Sequence, residues 1–288
     1  MRRRHAVVAY FFLIPFFLLF LVFYVTPLLY AGYLSFFIRR GILVQVFVGF
    51  QNFIRVFGDN QFFLSLGNIG KFFLVQAPVM LGLAILFALY IDHRTNPLRR
   101  TFRLVYYLPF TVSSVVAGLM WGFMFSKRLS PFAAALGALG LHPDFLASDK
   151  LLWSLGIIVT WEWTGYNMII MYSALQSIEP QLYDAARVDG AGALQVIWFI
   201  KLPLLLPAII LALIFTIIGT SQIFNEPYIL TALTFVSPSL TPNMYIYTTA
   251  FSYGSFNYAG AMAIILALIT FVISFVFIRY NRLEEGAP

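Results

Sequence analysis

The chain has 288 residues, 61% of them hydrophobic and 10% charged, whereas a soluble domain uses roughly 25% charge to cover its surface. With a mean hydropathy of +0.88 it asks for a bilayer as solvent, and several apolar runs reach the roughly 20 residues a helix needs to cross hydrocarbon. The net charge of +7 lies in short basic clusters between apolar runs, so we read it as topology and lipid-headgroup contact and not as nucleic-acid binding. The absence of cysteine excludes disulfides and thiolate metal or redox chemistry.

Arg2-Arg3-Arg4-His5 followed by the apolar run Ala6 to Tyr30 has the outline of a signal peptide. The run is too long and lacks a small-residue cleavage pattern, so a retained first helix is expected, bent near Pro15. The stretch from Ser35 to Ser65 is too polar to span, and Phe50 to Phe57 reads as a short interfacial helix. Helix two is expected from Asn68 or Lys71 to Ile91 and helix three from Leu104 to Phe125, separated by the basic segment Asp92 to Arg100. Gly, Pro and Asp between Lys127 and Lys150 predict a loop holding one small helix across Pro131 to Leu139. Helix four should cover Leu151 to Leu175, helix five Leu202 to Phe224 and helix six Gly260 to Phe277. The fold class expected is therefore all-α, a polytopic membrane protein with six transmembrane helices in a single domain, 1–288. Basic residues concentrate on the side that holds both termini, Arg2 to Arg4 and Arg94 to Arg103 above all, which makes that side cytoplasmic.

Gln176 to Lys201 differs in kind, with Glu179, Asp184, Arg187, Asp189 and Lys201 set among small residues. Pro180 suits the first turn of a short helix over 181–189, whose positive end Glu179 and Asp184 favour. Ala185 and Asp189, like Ala186 and Gly190, stand four apart, so one face is nearly free of bulk and another surface can approach closely. Gly190 and Gly192 then interrupt the helix, and a second one returns along the membrane surface to Pro203. Taken alone, the segment is equally an ordinary amphipathic interfacial loop.

The spacing of Asp184-Ala185-Ala186, Gly190, Ile200 and Leu202-Pro203 resembles the signature loop of ABC importer permeases: Glu-Ala-Ala, three residues, Gly, nine residues, Ile, one residue, Leu-Pro. Asp184 in place of glutamate is the departure; it keeps the charge and shortens the reach. Leu13-Ile14-Pro15, Gly49 to Phe53, Leu108-Pro109, Gln176 to Pro180 and Phe251 to Ala261 extend the likeness to the carbohydrate-uptake branch, similar to maltose, lactose and glycerol-phosphate permeases of the first type. Thr234 to Pro238 replaces a Gly-Gly-Pro turn common in that branch.

The resemblance implies a type I importer fold in a bacterial or archaeal inner membrane, with 178–201 as a cytoplasmic coupling loop. In it Asp184, Ala185, Ala186, Asp189 and Gly190 would dock on a separate ATPase. It implies a heterocomplex with a second homologous permease, two copies of the nucleotide-binding subunit and an extracytoplasmic sugar-binding protein. The chain itself is then a non-catalytic subunit that binds no cofactor; ATP and magnesium belong to the ATPase, and no Gly-rich loop ending in Gly-Lys-Ser or Gly-Lys-Thr occurs here.

For the substrate path, Glu162 lies within helix four between Trp161 and Trp163, with Asn167 on the same side. An acid within a span is expensive unless it meets a cavity or a partner, and aromatic faces beside polar groups suit a sugar ring. Two readings stand: these residues line the path, or the tryptophans anchor at the interface while Glu162 pairs inside the bundle. Asn225 and Glu226 are candidates of the same kind, or markers of the outer boundary. His5, His93 and His142 are too scattered for a metal centre, and Gly118 and Gly122 have the spacing of a helix-packing face. An ion-gradient-driven secondary transporter is the alternative function. It would show paired broken helices and buried ion ligands in both halves.

Overall fold

A computed structural model of the chain describes residues 2–41, 44–92, 98–127, 130–140 and 143–285, with side chains at these positions apart from 2–10, 133–134 and 280–285. The elements in order are α1 (Arg2–Phe20), α2 (Thr26–Ser35), β1 (Phe37–Arg40), β2 (Val44–Phe47), α3 (Gln51–Phe57), α4 (Asn60–Asp92), α5 (Arg99–Thr111), α6 (Ser114–Phe125), α7 (Pro131–Gly137) and α8 (Leu151–Gln176). There follow α9 (Pro180–Val188), α10 (Ala193–Val196), α11 (Leu202–Ser221), α12 (Asn225–Leu230), α13 (Pro242–Tyr247) and α14 (Phe256–Glu285). The expected centre of the basic separator, 93–97, lies outside the described residues, as do His93 and His142 and the side chain of His5.

The first helix runs through Pro15 and becomes irregular at a π-helical turn, Leu21–Val25. Pro27 has no N–H to offer the carbonyl four residues back, and the wide turn before it lets the Thr26 amide and hydroxyl both donate to the Leu21 carbonyl, the hydroxyl at 2.9 Å. The stretch after it holds α3 as expected but also an antiparallel hairpin, with Phe37 paired to Phe47 and Arg40 to Val44. Gly41, at φ +69°, supplies the left-handed backbone of its turn.

Helix two begins at Asn60, well before the expected Asn68, because the Asp59 carboxylate caps it by accepting the amides of Gln61 (2.9 Å) and Phe62 (3.2 Å). Helix three is not one straight span. α5 and α6 meet at 97°, and Val112 and Ser113 between them are extended. Pro109 removes a ladder bond, and the Thr111 hydroxyl competes for the Leu108 carbonyl at 2.7 Å. Helix five is longer than expected: α10 continues through a second π-helical turn, Ile197–Lys201, into α11.

Four helices are long and apolar enough to cross a membrane, Phe11–Ser35, Asn60–Asp92, Ala193–Leu230 and Phe256–Arg279, or five if the bent pair counts as one span. Among the described residues that makes four or five such helices, not clearly the expected six. α8 has the length, at 26 residues, but Thr160, Glu162, Thr164 and Asn167 dilute its apolar character.

The chain divides into two compact units, Met1–Phe63 with Tyr245–Ile269, and Leu64–Met244 with Thr270–Pro288. In the first, Asn52 is buried and its amide joins α3 to the carbonyls of Ser35 and Phe37, both at 2.8 Å. Gly260 lets α14 approach the Ala31 carbonyl, which an added Cβ would meet at 3.0 Å. The Asp59 carboxylate also accepts the hydroxyls of Tyr245 (2.9 Å) and Tyr258 (2.7 Å), while the Arg55 guanidinium lies 4.2 Å from the Tyr258 ring centre. Burial works against the charge on Asp59. The hydrogen bonds from Tyr258, Tyr245 and the two amides outweigh it and hold the carboxyl below its ordinary range.

In the second unit, Met80, Leu81, Ala84, Ala88 and Ile91 of α4 pack with Met168, Met171 and Leu175 of α8 and Leu205 and Ala212 of α11. Gly165 brings α8 against the backbone of α5, where a Cβ would collide with the Tyr106 carbonyl. Gly118 and Gly122 do form a packing face: Ile229, Leu230 and Leu233 sit where their Cβ atoms would be.

Candidate functional site

α9 is a short, exposed helix that starts after Glu179 in extended backbone, with Pro180 in its first turn. Asp184 and Arg187 pair at 3.3 Å with about two-thirds of each side chain exposed, a geometry that adds little stability. Gly190 ends the helix at φ +80°, its amide reaching the Arg187 carbonyl (3.1 Å) and that of Ala191 the Ala186 carbonyl (2.9 Å). Asp184, Ala185, Asp189 and Gly190 are exposed and Ala186 half-buried, while Val188 is 88% exposed. The Gln195 side chain then accepts the Gly192 amide at 2.7 Å and starts α10. The result is a helix, a glycine turn and a second helix in a continuous protrusion.

A polar clasp sits at its base. The Asp92 carboxylate at the end of α4 accepts Lys201 Nζ at 2.5 Å on one oxygen and Gln176 Nε2, at the end of α8, at 2.7 Å on the other. The Lys201 ammonium also lies 5.4 Å from the ring centre of Tyr183 on α9. One carboxylate thus ties together the ends of α4 and α8, the turn leading into α11 and, through lysine, the protruding helix.

The same three helices wall a cavity of about 370 Å³. Gln76 and Met80 enter it from α4, Glu162, Trp163, Tyr166 and Asn167 from α8, and Phe215 and Thr216 from α11. Asn225 and Glu226 of α12 and Phe110 of α5 complete it. At 1.5 Å per helical residue the cavity residues lie about 14–24 Å from the clasp along the three helices. Four of the five substrate-path candidates therefore meet. Glu162, Asn167 and Glu226 are buried, and Asn225 is exposed with its amide donating to Ser114 Oγ at 3.0 Å.

Trp161 does not join them. It faces a second, apolar cavity of about 730 Å³ and packs edge-on against Trp121, ring centres 5.8 Å apart. Trp163 takes its place with two residues that the sequence did not single out: Phe110 stacks on Tyr166 at 4.7 Å and meets Trp163 edge-on at 5.2 Å. The Glu162 and Glu226 carboxyl groups line the same cavity. Among the described residues no group of three His, Asp or Glu side chains is placed to hold a metal ion.

Residues 80–285 match the family described as the binding-protein-dependent transport system inner membrane component. The chain belongs to this family. It is the non-catalytic permease subunit of an ABC importer and couples to a separate ATPase. The permease is 32% identical to the lactose transport system permease protein LacF of Rhizobium radiobacter, over 96% of this chain and 94% of that one. It is 27% identical to the arabinooligosaccharides transport system permease protein AraP of Bacillus subtilis, over 96% and 89%. Its fold is similar to that of a chain in the crystal structure of a bacterial alginate ABC transporter with an alginate pentasaccharide-bound periplasmic protein. There the TM-score is 0.83 at 24% identity, covering 99% and 97% of the two chains.

Proposed function

We propose that this permease forms half of the path of an ATP-driven carbohydrate importer in a bacterial cytoplasmic membrane. α8 would serve as the sixth span beside the four long helices and the bent α5–α6 pair, with both termini cytoplasmic. Residues 178–201 are then the coupling loop of a single transmembrane domain, 1–288. In it Asp184, Ala185, Ala186, Asp189 and Gly190 present the nearly bulk-free face to the ATPase. A second homologous permease, two ATPase copies using ATP and magnesium, and an extracytoplasmic sugar-binding protein complete the assembly. The names of the relatives, lactose and arabinooligosaccharide permeases, support sugar as the cargo.

The observation that carries the reading is the Asp92 clasp, which links α9 to the near ends of the helices whose far parts wall the polar cavity. A push on α9 has a stiff route to the cavity: helices transmit displacement along their axes, and packed cores rearrange between discrete states and do not deform smoothly. Sugar uptake into proteoliposomes holding the complete complex tests it. Uptake should require ATP and survive collapse of ion gradients, and the ATPase should copurify with this chain. Uptake that an ion gradient drives without ATP would overturn the reading in favour of a secondary transporter.

A further inference from the structure

Several of the cavity's polar side chains have their donors committed and their acceptors open. The Asn167 amide nitrogen donates to the Trp163 carbonyl at 3.0 Å. That carbonyl fixes which way the amide points, since the reverse would set two oxygens against each other. The Gln76 nitrogen lies toward Thr160 Oγ1 at 3.4 Å and Met80 Sδ at 3.3 Å. Thr216 donates to the Ala212 carbonyl at 2.8 Å, and Asn225 to Ser114. These four side chains thus have donors engaged within the protein, while Trp163, Tyr166, Thr220 and Gln222 line the same cavity as further donors.

Three acceptors stay open. Glu162 Oε2, Asn167 Oδ1 and Gln76 Oε1 are buried without a hydrogen-bond partner, in residues that are 4%, 3% and 5% exposed. Native proteins rarely leave such atoms unpaired, because each costs on the order of 1–3 kcal/mol when buried unsatisfied. Three of them lining one cavity describe a site that waits for donors. The charges agree: among the described residues two carboxyl groups, Glu162 and Glu226, line the cavity, and no Lys, Arg or His does. The aromatic group of Phe110, Trp163 and Tyr166 adds ring faces, which carry negative potential and attract cations.

We propose, resting on the carbohydrate reading above, that this cavity selects saccharides that donate hydrogen bonds and bear no negative charge, favours an amine-bearing sugar over its neutral counterpart, and excludes uronates. A neutral sugar satisfies the three oxygens with hydroxyl protons while its C–H face lies on the rings. A protonated amine in a hydroxyl's place gains the attraction of Glu162 and Glu226 as well. A carboxylate on the sugar gains nothing: it would be desolvated beside two acids with no counter-ion in the lining, and it has no proton to give. The similar fold in the alginate transporter belongs to a system described as importing an acidic polysaccharide, so the selectivity assigned here is carried by cavity side chains and not by the fold.

Trp163 supplies the readout. Purified permease in nanodiscs would be titrated with cellotriose, the glucosamine trimer and trigalacturonate, at a pH where the amine is protonated, while tryptophan fluorescence is followed. The Trp163→Phe variant identifies the signal that arises in the cavity. The expected order is the glucosamine trimer about fivefold tighter than cellotriose, as one partly solvated charge contact gives, with no response to trigalacturonate. Glu162→Gln, which keeps the shape, should narrow the gap between the amine and neutral sugars, and Glu162→Gln with Glu226→Gln should close it. Trigalacturonate binding as well as cellotriose would overturn the selectivity and leave the carbohydrate reading standing. So would a silent cavity in a permease whose assembled complex transports cellotriose. Failure of the assembled complex to transport any of the three would remove the carbohydrate reading and this inference with it.

Discussion

Replacing Lys201 with Met leaves the Asp92 carboxylate with Gln176 as its donor at the junction of α4, α8 and the turn into α11. Removing one partner of a fully buried ion pair costs about 3–5 kcal/mol. Here the two side chains retain 16% and 10% exposure, so water reaches the abandoned carboxylate and about 2 kcal/mol is the expected cost. At roughly 2–4 °C per kcal/mol for a chain of this size, thermal unfolding in nanodiscs should fall by about 6 °C. Adding Asp92→Asn removes the stranded charge and keeps an amide for Gln176, so the double variant should recover at least about 1 kcal/mol relative to additive behaviour. In the assembled complex Lys201→Met should also lower sugar uptake more than ATP hydrolysis, because α9 loses its tie to the cavity walls. Unchanged thermal unfolding in Lys201→Met, or a double-variant cycle with no interaction energy, would show that the clasp neither stabilises nor transmits.

Gly190→Val introduces left-handed strain of about 1–2 kcal/mol, but no atom lies within 4 Å of the added Cβ. Membrane insertion should therefore persist, while the ATP hydrolysed per sugar imported rises several-fold in proteoliposomes. Gly165→Ala should destabilise the permease by about 2–3 kcal/mol, by driving α8 off the Tyr106 carbonyl, whereas Gly82→Ala, with open space around it, should match or exceed the native melting temperature. For Asp59, whose folded pKa lies below its ordinary value of 3.8, the stabilisation is complete above that pH and is lost as pH falls through the folded value. The difference in thermal stability between native protein and Asp59→Asn should be constant near neutrality and shrink below about pH 4.

The protrusion was legible because charges and small residues at helical spacing stand out in a chain that is otherwise apolar, and Asp184 to Pro203 carries a fixed pattern. The cavity was half legible. Glu162 announced itself as an acid inside a span, but Trp161 and Trp163 flank it symmetrically, each about 100° away around the helix, and only the contact with Phe110 distinguishes them. The break between α5 and α6 was hidden because hydropathy runs unbroken across Val112 and Ser113 while the backbone turns. Asp92 and Lys201, 109 residues apart, each looked like a charge marking the end of a span; their pairing is a tertiary fact that no local pattern encodes. The hairpin went unseen for a related reason: four-residue strands beside an arginine pair leave too short an alternation to distinguish from an interfacial coil.

The native chain has no cysteine, so a single Ala185→Cys places one thiol on the exposed face of α9. Labelling it with a membrane-impermeant maleimide, in inverted and right-side-out vesicles with and without the ATPase, reports at once the side on which α9 lies and whether a protein covers it. The thiol should react from the cytoplasmic side in the permease alone and be protected when the ATPase is assembled. Reaction from the exterior, or equal reaction with the ATPase bound, would contradict the assignment of α9 as the point where an external motor grips this permease.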